Sequence, residues 1–290
     1  MLEVAGLEDF GAVLADIEAN ANDDADLRRR LNGVRLTGSA NVLRTLDPFS
    51  REYRDEVLAQ FCRLKSVAYD VATEGLDIDI AHELRWGFPY GTQSAGTIGA
   101  YLIAIGHIIA QLNLPAGSRI IEMGCGTGSL TRHLMASGYE VIALDINRSN
   151  TSLIKAMGAH APKPPHVYTH SFDEFTWPAG DVDAVIFFES FHHSLDHADL
   201  LAKAATWIKP GGKLAFCAEP IVNAESLWVP YPWGLRTDGE SLRAIAKWGW
   251  LELGFQESYF FELLGRAGLS WTRTQNPGSH WADVILASRR

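Results

Sequence analysis

Three features are scarce in this 290-residue chain, and each scarcity excludes a class of protein. Cysteine occurs three times, at Cys62, Cys125 and Cys217, with no C-x-x-C pair. A disulfide framework or a cysteine zinc site needs closely paired thiols, so neither is expected, and a cytoplasmic setting is. Basic residues are outnumbered, 25 Lys and Arg against 35 Asp and Glu, for a net charge of −10. Apart from Arg28-Arg29-Arg30 and the terminal Arg289-Arg290 they are scattered, and a phosphate backbone needs a basic face, so no nucleic-acid partner is expected. Long apolar runs are missing too. The longest, Ile98 to Leu114, is interrupted by Gly106, His107, Gln111 and Asn113, and is expected to be a buried helix rather than a membrane span. The acidic start lacks an apolar core, so no signal sequence is expected either.

What the chain does have is concentrated around Ser118–Leu134, SRIIEMGCGTGSLTRHL. A β-rich apolar run from Arg119 to Met123 breaks at Gly124, Gly126 and Gly128 and gives way to a helix-compatible stretch from Ser129, the pattern of a strand, a tight turn and a helix N-terminus. Dinucleotide loops read G-x-G-x-x-G, with a pyrophosphate on the helix N-terminus. Here the spacing is G-x-G-x-G, Ser129 stands where the last glycine would fall, and Glu122 lies two residues ahead of the loop. A carboxylate near the mouth of such a site repels a pyrophosphate and attracts a cation. The loop therefore argues for a cationic ligand and against an NAD-dependent oxidoreductase.

From Ser118 onward strand and helix patterns alternate, which implies a parallel sheet with crossover helices. Strands are expected at 118–123, 140–144, 166–170, 182–188 and 213–218, with helices at 129–137, 149–157 and 197–207 between them. Asp145 ends the second strand about 20 residues after the glycines, where a carboxylate serves ribose hydroxyls. Residues 1 to about 90 look helical, with Leu7, Phe10, Val13, Leu14 and Ile17 in one repeat and Val57, Leu58, Phe61, Leu64, Val67 and Ala68 in another. Gly33 to Ser50 is expected as an irregular connection. Six of the nine tryptophans follow residue 225, and the loop holding Trp228, Tyr231, Trp233 and Arg236 is expected to act as a substrate wall or lid.

Glu122-Met123-Gly124-Cys125-Gly126-Thr127-Gly128, Asp145 and the Lys209-Pro210-Gly211-Gly212 turn before the fifth strand resemble the class I S-adenosylmethionine-dependent methyltransferases. The resemblance covers about 84–218. It implies an α/β fold, a Rossmann-like doubly wound and mostly parallel sheet with an antiparallel C-terminal edge hairpin, on residues 93–290, with a substrate loop around 220–255. An N-terminal helical extension or lid would occupy 1–92. S-adenosyl-L-methionine is the implied cofactor. Glu122, Gly124, Cys125, Gly126 and Gly128 would surround its methionine end, with backbone contacts from Gly124, Cys125 and Gly126. Asp145 and Ile146 would meet the ribose. Ser171, Phe172 and Asp173 would meet the adenine, with Ser171 where the family commonly has Asp. Glu189, after the fourth strand, would also contact the cofactor, and Trp86, Tyr90 and Thr92 would fold over the pocket from upstream.

The catalytic candidates are His192, His193 and Glu219. Methyl transfer is an in-line displacement at an activated carbon, which needs mainly proximity and a dry site. A hydroxyl acceptor also needs a base, and a histidine near neutral pKa suits that role, His192 ahead of His193. Glu219 would bind a substrate hydroxyl or assist a histidine. No metal is expected: His192, His193, Asp196 and His197 cluster in sequence, yet an adjacent pair would point in different directions and no distant ligand stands out. The segment Pro232–Phe255 is similar to methyltransferases of bacterial surface-polysaccharide pathways, which implies a sugar hydroxyl, another small metabolite being the alternative acceptor. An NAD-dependent oxidoreductase, opposed by the spacing and by Glu122, and a non-catalytic cofactor-binding role stay open, as does homodimerisation; no membrane partner is expected.

Overall fold

The computed structural model describes residues 2–4, 7–36, 40–223, 229 and 232–289. They pack as two units, Gly75–Phe191 with Asp196–Glu219 and Leu263–Arg290, and Met1–Glu74 with His192–Leu195 and Pro220–Glu262.

The first unit is built on seven strands, β1 (Arg119–Met123), β2 (Glu140–Asp145), β3 (His166–Thr169), β4 (Val182–Phe188), β5 (Ile208–Cys217), β6 (Leu269–Gln275) and β7 (Asp283–Arg289). Their order across the sheet is β6-β7-β5-β4-β1-β2-β3. The strands β1 to β5 pair in parallel, and β7 joins β5 and β6 antiparallel as the expected edge hairpin. Helices cover both faces, so the inner strands read as near-continuous apolar sequence. In β4, Val182 and Ala184 to Phe188 are all buried. The strand β5 runs through the Pro-Gly-Gly turn expected to precede it. A register shift between Val182 and Ala184 absorbs the irregularity.

Helices α1 (Ala95–Leu112), α2 (Ser129–Ala136), α3 (Arg148–Gly158) and α4 (His197–Trp207) carry the crossovers and the covering layer. Each has an apolar stripe. Ile105, Ile108 and Leu112 of α1 join Leu130 and Leu134 of α2 in one cluster with Ile120, Val141, Ala143 and Ile186 of the sheet. The expectation of a buried helix holds for one face of α1. Only 28 % of it is buried, and Leu102 and Ile103 are exposed, although by length and composition it is apolar enough to cross a membrane. A helix laid on a sheet needs one face in the core, and α1 uses Tyr101, Ala104, Ile105, Ile108 and Leu112 for it.

In the second unit the helices Leu7–Asn20, Asp24–Leu31, Arg51–Lys65 and Gly239–Trp248 accompany a sheet of Ile221–Val222, Leu253–Gln256 and Trp233–Leu235. Phe10, Leu14, Ile17, Val57, Phe61 and Leu64 are buried, as their spacing predicts. The stretch expected to be an irregular connection contains a strand, Val34–Leu36, pairing with Leu2–Val4, and a short helix, Ala40–Leu43. Trp233 is core rather than lid: it is 2 % exposed, its ring lies 4.8 Å from that of Tyr53, and its carbonyl accepts the Tyr53 hydroxyl at 2.5 Å. Trp228 and Tyr231 lie outside the described residues.

Candidate active site

In an open α/β sheet, ligands bind at the carboxyl ends of the strands where the order reverses. That place is the end of β1, between β4 and β2. Gly124, Gly126 and Gly128 have φ of 72°, 50° and 79°, left-handed values that glycine adopts without strain. A Cβ on Gly124 would stand 2.6 Å from the Cβ of Ser190 and 3.3 Å from the edge of Phe172. A Cβ on Gly126 would meet nothing within 4 Å.

The amides of this loop turn inward. Gly124 and Cys125 both donate to Leu144 O at 2.9 Å, and Gly126 donates to Asp145 Oδ2 at 2.8 Å. A pyrophosphate needs free N–H donors, whereas this loop has carbonyl oxygens to offer and so suits a ligand that donates, such as an ammonium. The Gly124, Cys125 and Gly126 amides are thus engaged within the chain, and the Cys125 carbonyl accepts from Gly128 N at 2.9 Å. Asp145 is buried, and its Oδ1 accepts from Asn147 N at 2.8 Å and Asn150 Nδ2 at 3.2 Å. Each carboxylate oxygen has two lone pairs, and these bonds with that from Gly126 N take three of the four, both of those on Oδ1 among them. Ile146, next in the chain, is half-buried.

Glu122 is not at the mouth of the site. It is 2 % exposed and accepts the Thr131 hydroxyl at 2.6 Å. Burial pushes its carboxyl up to about 8, against the Thr131 hydrogen bond and with the Asp145 charge adding to the rise. Burial also pushes the Cys125 and Cys217 thiols well up, which leaves neither as a ready thiolate.

Ser171 is occupied in a turn, its hydroxyl donating to Glu174 Oε2 at 3.1 Å, while Asp173 is exposed. Phe172 packs toward Gly124. The segment before α1 rests on α2, where Ser129 Oγ donates to Phe88 O at 2.9 Å and the Arg132 guanidinium lies 5.9 Å from the Tyr90 ring centre. Trp86 is 48 % exposed. Thr92 turns back on its own loop, donating to Pro89 O at 2.6 Å.

At the ends of β4 and β5 the chain takes two unusual turns. Glu189 and Ala218 have φ of 50° and 54°, a conformation that costs a non-glycine residue and that persists where its surroundings enforce it. Trp281 Nε1 donates to Glu189 Oε1 at 3.1 Å. Glu219 is spent on the chain itself, its Oε1 accepting from Ser190 N and Phe191 N, both at 2.9 Å. Ser190 Oγ in turn donates to Met123 O at 2.6 Å. Ser190 is the residue that sequence reasoning missed here, a small hydroxyl whose only signal is its place directly after the strand-end Glu189.

In the second unit the two histidines come together. Their ring centres are 4.3 Å apart with an interplanar angle of 37°. His192 Nε2 lies 3.6 Å from Glu252 Oε2, and His193 Nδ1 lies 3.1 Å from Glu74 Oε2. Arg236 Nη1 is 3.7 Å from the same Glu252 oxygen. The premise that adjacent histidines diverge and lack a distant partner is corrected. The 3-10 turn Phe191–His193 sets the rings side by side, and two carboxylates distant in sequence face them. Neither Glu74 nor Glu252 carries a motif that would have singled it out.

The fold and the loop define an α/β domain for a nucleoside cofactor with a cationic amino-acid end. Residues 100–269 match the methyltransferase-domain family, so the chain belongs to it, within the S-adenosylmethionine-dependent class. It is 28 % identical over 185 residues to a 27-O-demethylrifamycin SV methyltransferase of Amycolatopsis mediterranei, 62 % of this chain and 64 % of that protein. It is 28 % identical over 102 residues to a ubiquinone biosynthesis O-methyltransferase of Aromatoleum aromaticum, 35 % and 44 % of the two chains. The matches thus span less than two thirds of either relative. An S-adenosylmethionine-dependent methyltransferase from Mesorhizobium loti shares the fold, with a TM-score of 0.52 at 19 % identity over 66 % of this chain and 98 % of that one.

Proposed function

We propose that the chain transfers the methyl group of S-adenosylmethionine to a hydroxyl oxygen of a small molecule or a sugar, in the cytoplasm. The observation that carries the cofactor half is the glycine loop at the end of β1, whose Gly124, Cys125 and Gly126 amides turn inward onto Leu144 and Asp145. The two relatives described above are named as methyltransferases, one of them as an O-methyltransferase, which supports an oxygen acceptor. The likeness of Pro232–Phe255 to surface-polysaccharide methyltransferases supports a sugar as the form of that acceptor.

When bound, the cofactor supplies a methyl group on a positively charged sulfur. The chain's own residues then do three things. Asp145 and the glycine loop would bind and orient it, Glu219 holds the backbone of Ser190 and Phe191 at 2.9 Å, and His192, the next residue, would take the hydroxyl proton as the methyl–sulfur bond breaks and the carbon–oxygen bond forms, leaving the sulfur neutral.

Calorimetry against S-adenosylmethionine, S-adenosylhomocysteine and NAD tests the first half, with binding of the first two and not the third expected. Turnover on a panel of hydroxylated acceptors tests the second. With an acceptor in hand, His192→Ala should lower turnover by about 10²–10⁴-fold, the usual size of general-base catalysis, while affinity for S-adenosylhomocysteine stays unchanged. A merely modest loss would leave alignment and desolvation as the mechanism and remove His192 from it.

A further inference from the structure

We propose that His192, His193 and Glu252 form a binding site for a divalent transition-metal ion of the zinc type. One donor atom from each of the three lies within 4.8 Å of the other two. His192 and Glu252 are buried, at 6 % and 7 % exposure. The 3.6 Å between His192 Nε2 and Glu252 Oε2 is the informative distance. An N–H···O hydrogen bond spans about 2.7–3.2 Å. Two ligands held at about 2.0–2.2 Å from a tetrahedral ion stand about 3.4 Å apart. The pair is thus too far apart for the first and well spaced for the second.

Charge argues the same way. Glu74 faces His193 at 3.1 Å, Glu252 faces His192, and Asp238 accepts from Arg236 Nε at 2.8 Å. Ligating imidazoles are neutral. Two carboxylates, Glu74 and Glu252, thus face the histidine pair, a setting that attracts a cation. Glu74 is itself fixed, accepting from Leu251 N at 2.7 Å and from the Tyr69 hydroxyl at 2.9 Å. That is the place of an outer carboxylate that orients a ligating histidine. Two imidazole nitrogens and one carboxylate suit zinc, cobalt or nickel, whereas magnesium and calcium prefer oxygen donors throughout.

The inference meets the proposed function at one point. A nitrogen that holds a metal cannot take a proton, so ion and hydroxyl proton exclude each other at His192. A loaded enzyme with His192 as its base should slow, and a chelator should restore it.

The test uses the full chain after chelator treatment, titrated with cobalt(II), whose visible absorption reports tetrahedral nitrogen and oxygen ligation, with zinc uptake followed by elemental analysis. One equivalent should bind. Glu74→Gln should weaken binding by about 10–100-fold, as loss of an outer carboxylate does, and Glu252→Gln and His192→Ala by more. Glu252→His, which restores a donor atom, should keep the ion. Unchanged thermal unfolding and S-adenosylhomocysteine affinity would show that the variants fold. No stoichiometric uptake by the unsubstituted chain, or the same affinity and spectrum in Glu252→Gln, overturns the site. Cobalt binding with undiminished methyl transfer would uphold the site and remove His192 from the base role, so the two readings fail separately.

Discussion

Two glycines two positions apart in the same loop ask for different substitutions. At Gly124 the neighbour is protein: a side chain there runs into Ser190, so Gly124→Ala should cost stability first and binding second. At Gly126 the neighbouring space is open, and a bulky residue is free to point into it, strained only by the positive φ. Gly126→Val should therefore give a chain that still folds and has lost affinity for S-adenosylhomocysteine. Asp145→Ala should weaken the same ligand by about 1.5–3 kcal/mol, the worth of hydrogen bonds to a charged group. Calorimetry on the folded variants decides, and unchanged affinity in both would sink the assignment of this loop to the cofactor.

At the scale of elements, the turn after β4 depends on a carboxylate from beyond β5. Glu219→Ala would leave the amides of Ser190 and Phe191 without their acceptor, at about 1–3 kcal/mol for each buried group so stranded. Glu219→Gln, which keeps an acceptor oxygen, should recover most of that loss. Urea unfolding of the two variants separates this positioning role from a purely chemical one, in which both would unfold like the parent. The same turn shows how far the sequence could be read. The strands and helices of the sheet were legible because burial on both faces writes itself as apolar runs, and the loop because its glycines are needed for steric reasons that leave a fixed spacing. Asp145 was legible because it ends a strand. Glu219, by contrast, was visible as a carboxylate at a strand end, but its bond to two amides belongs to a turn whose left-handed residues, Glu189 and Ala218, are not glycines. Glu74 and Glu252 were invisible, since a contact across 177 residues, such as that from Leu251 N to Glu74, leaves no periodic trace. The aromatic loop was misread for a related reason: tryptophan density does not distinguish a lid from a core, and Trp233 is core.

For the molecule as a whole, the carboxyl of Glu122 ties stability to pH. Its folded pKa of about 8 lies above the ordinary 4.5, with burial the main cause. Between those values the folded chain holds a proton that the unfolded chain has released. Stability is then fully present below about pH 4.5 as far as this group is concerned, falls as pH rises at up to about 1.4 kcal/mol per unit, and levels off above about pH 8. Other groups titrate over the same range, so the contribution is best read as a difference between two chains. Glu122→Gln has nearly the same shape, retains an oxygen for the Thr131 hydroxyl and carries no titratable proton. The variant and the parent should have similar unfolding free energies near pH 5. By pH 8 the variant should be the more stable, because the parent alone must then either keep a proton against the solution or bury a charge. Urea denaturation at pH 5, 6, 7 and 8 reads the difference directly. A gap that stays constant across the series would mean that Glu122 is ionised in the folded chain throughout, and would return a buried negative charge to the strand beneath the glycine loop.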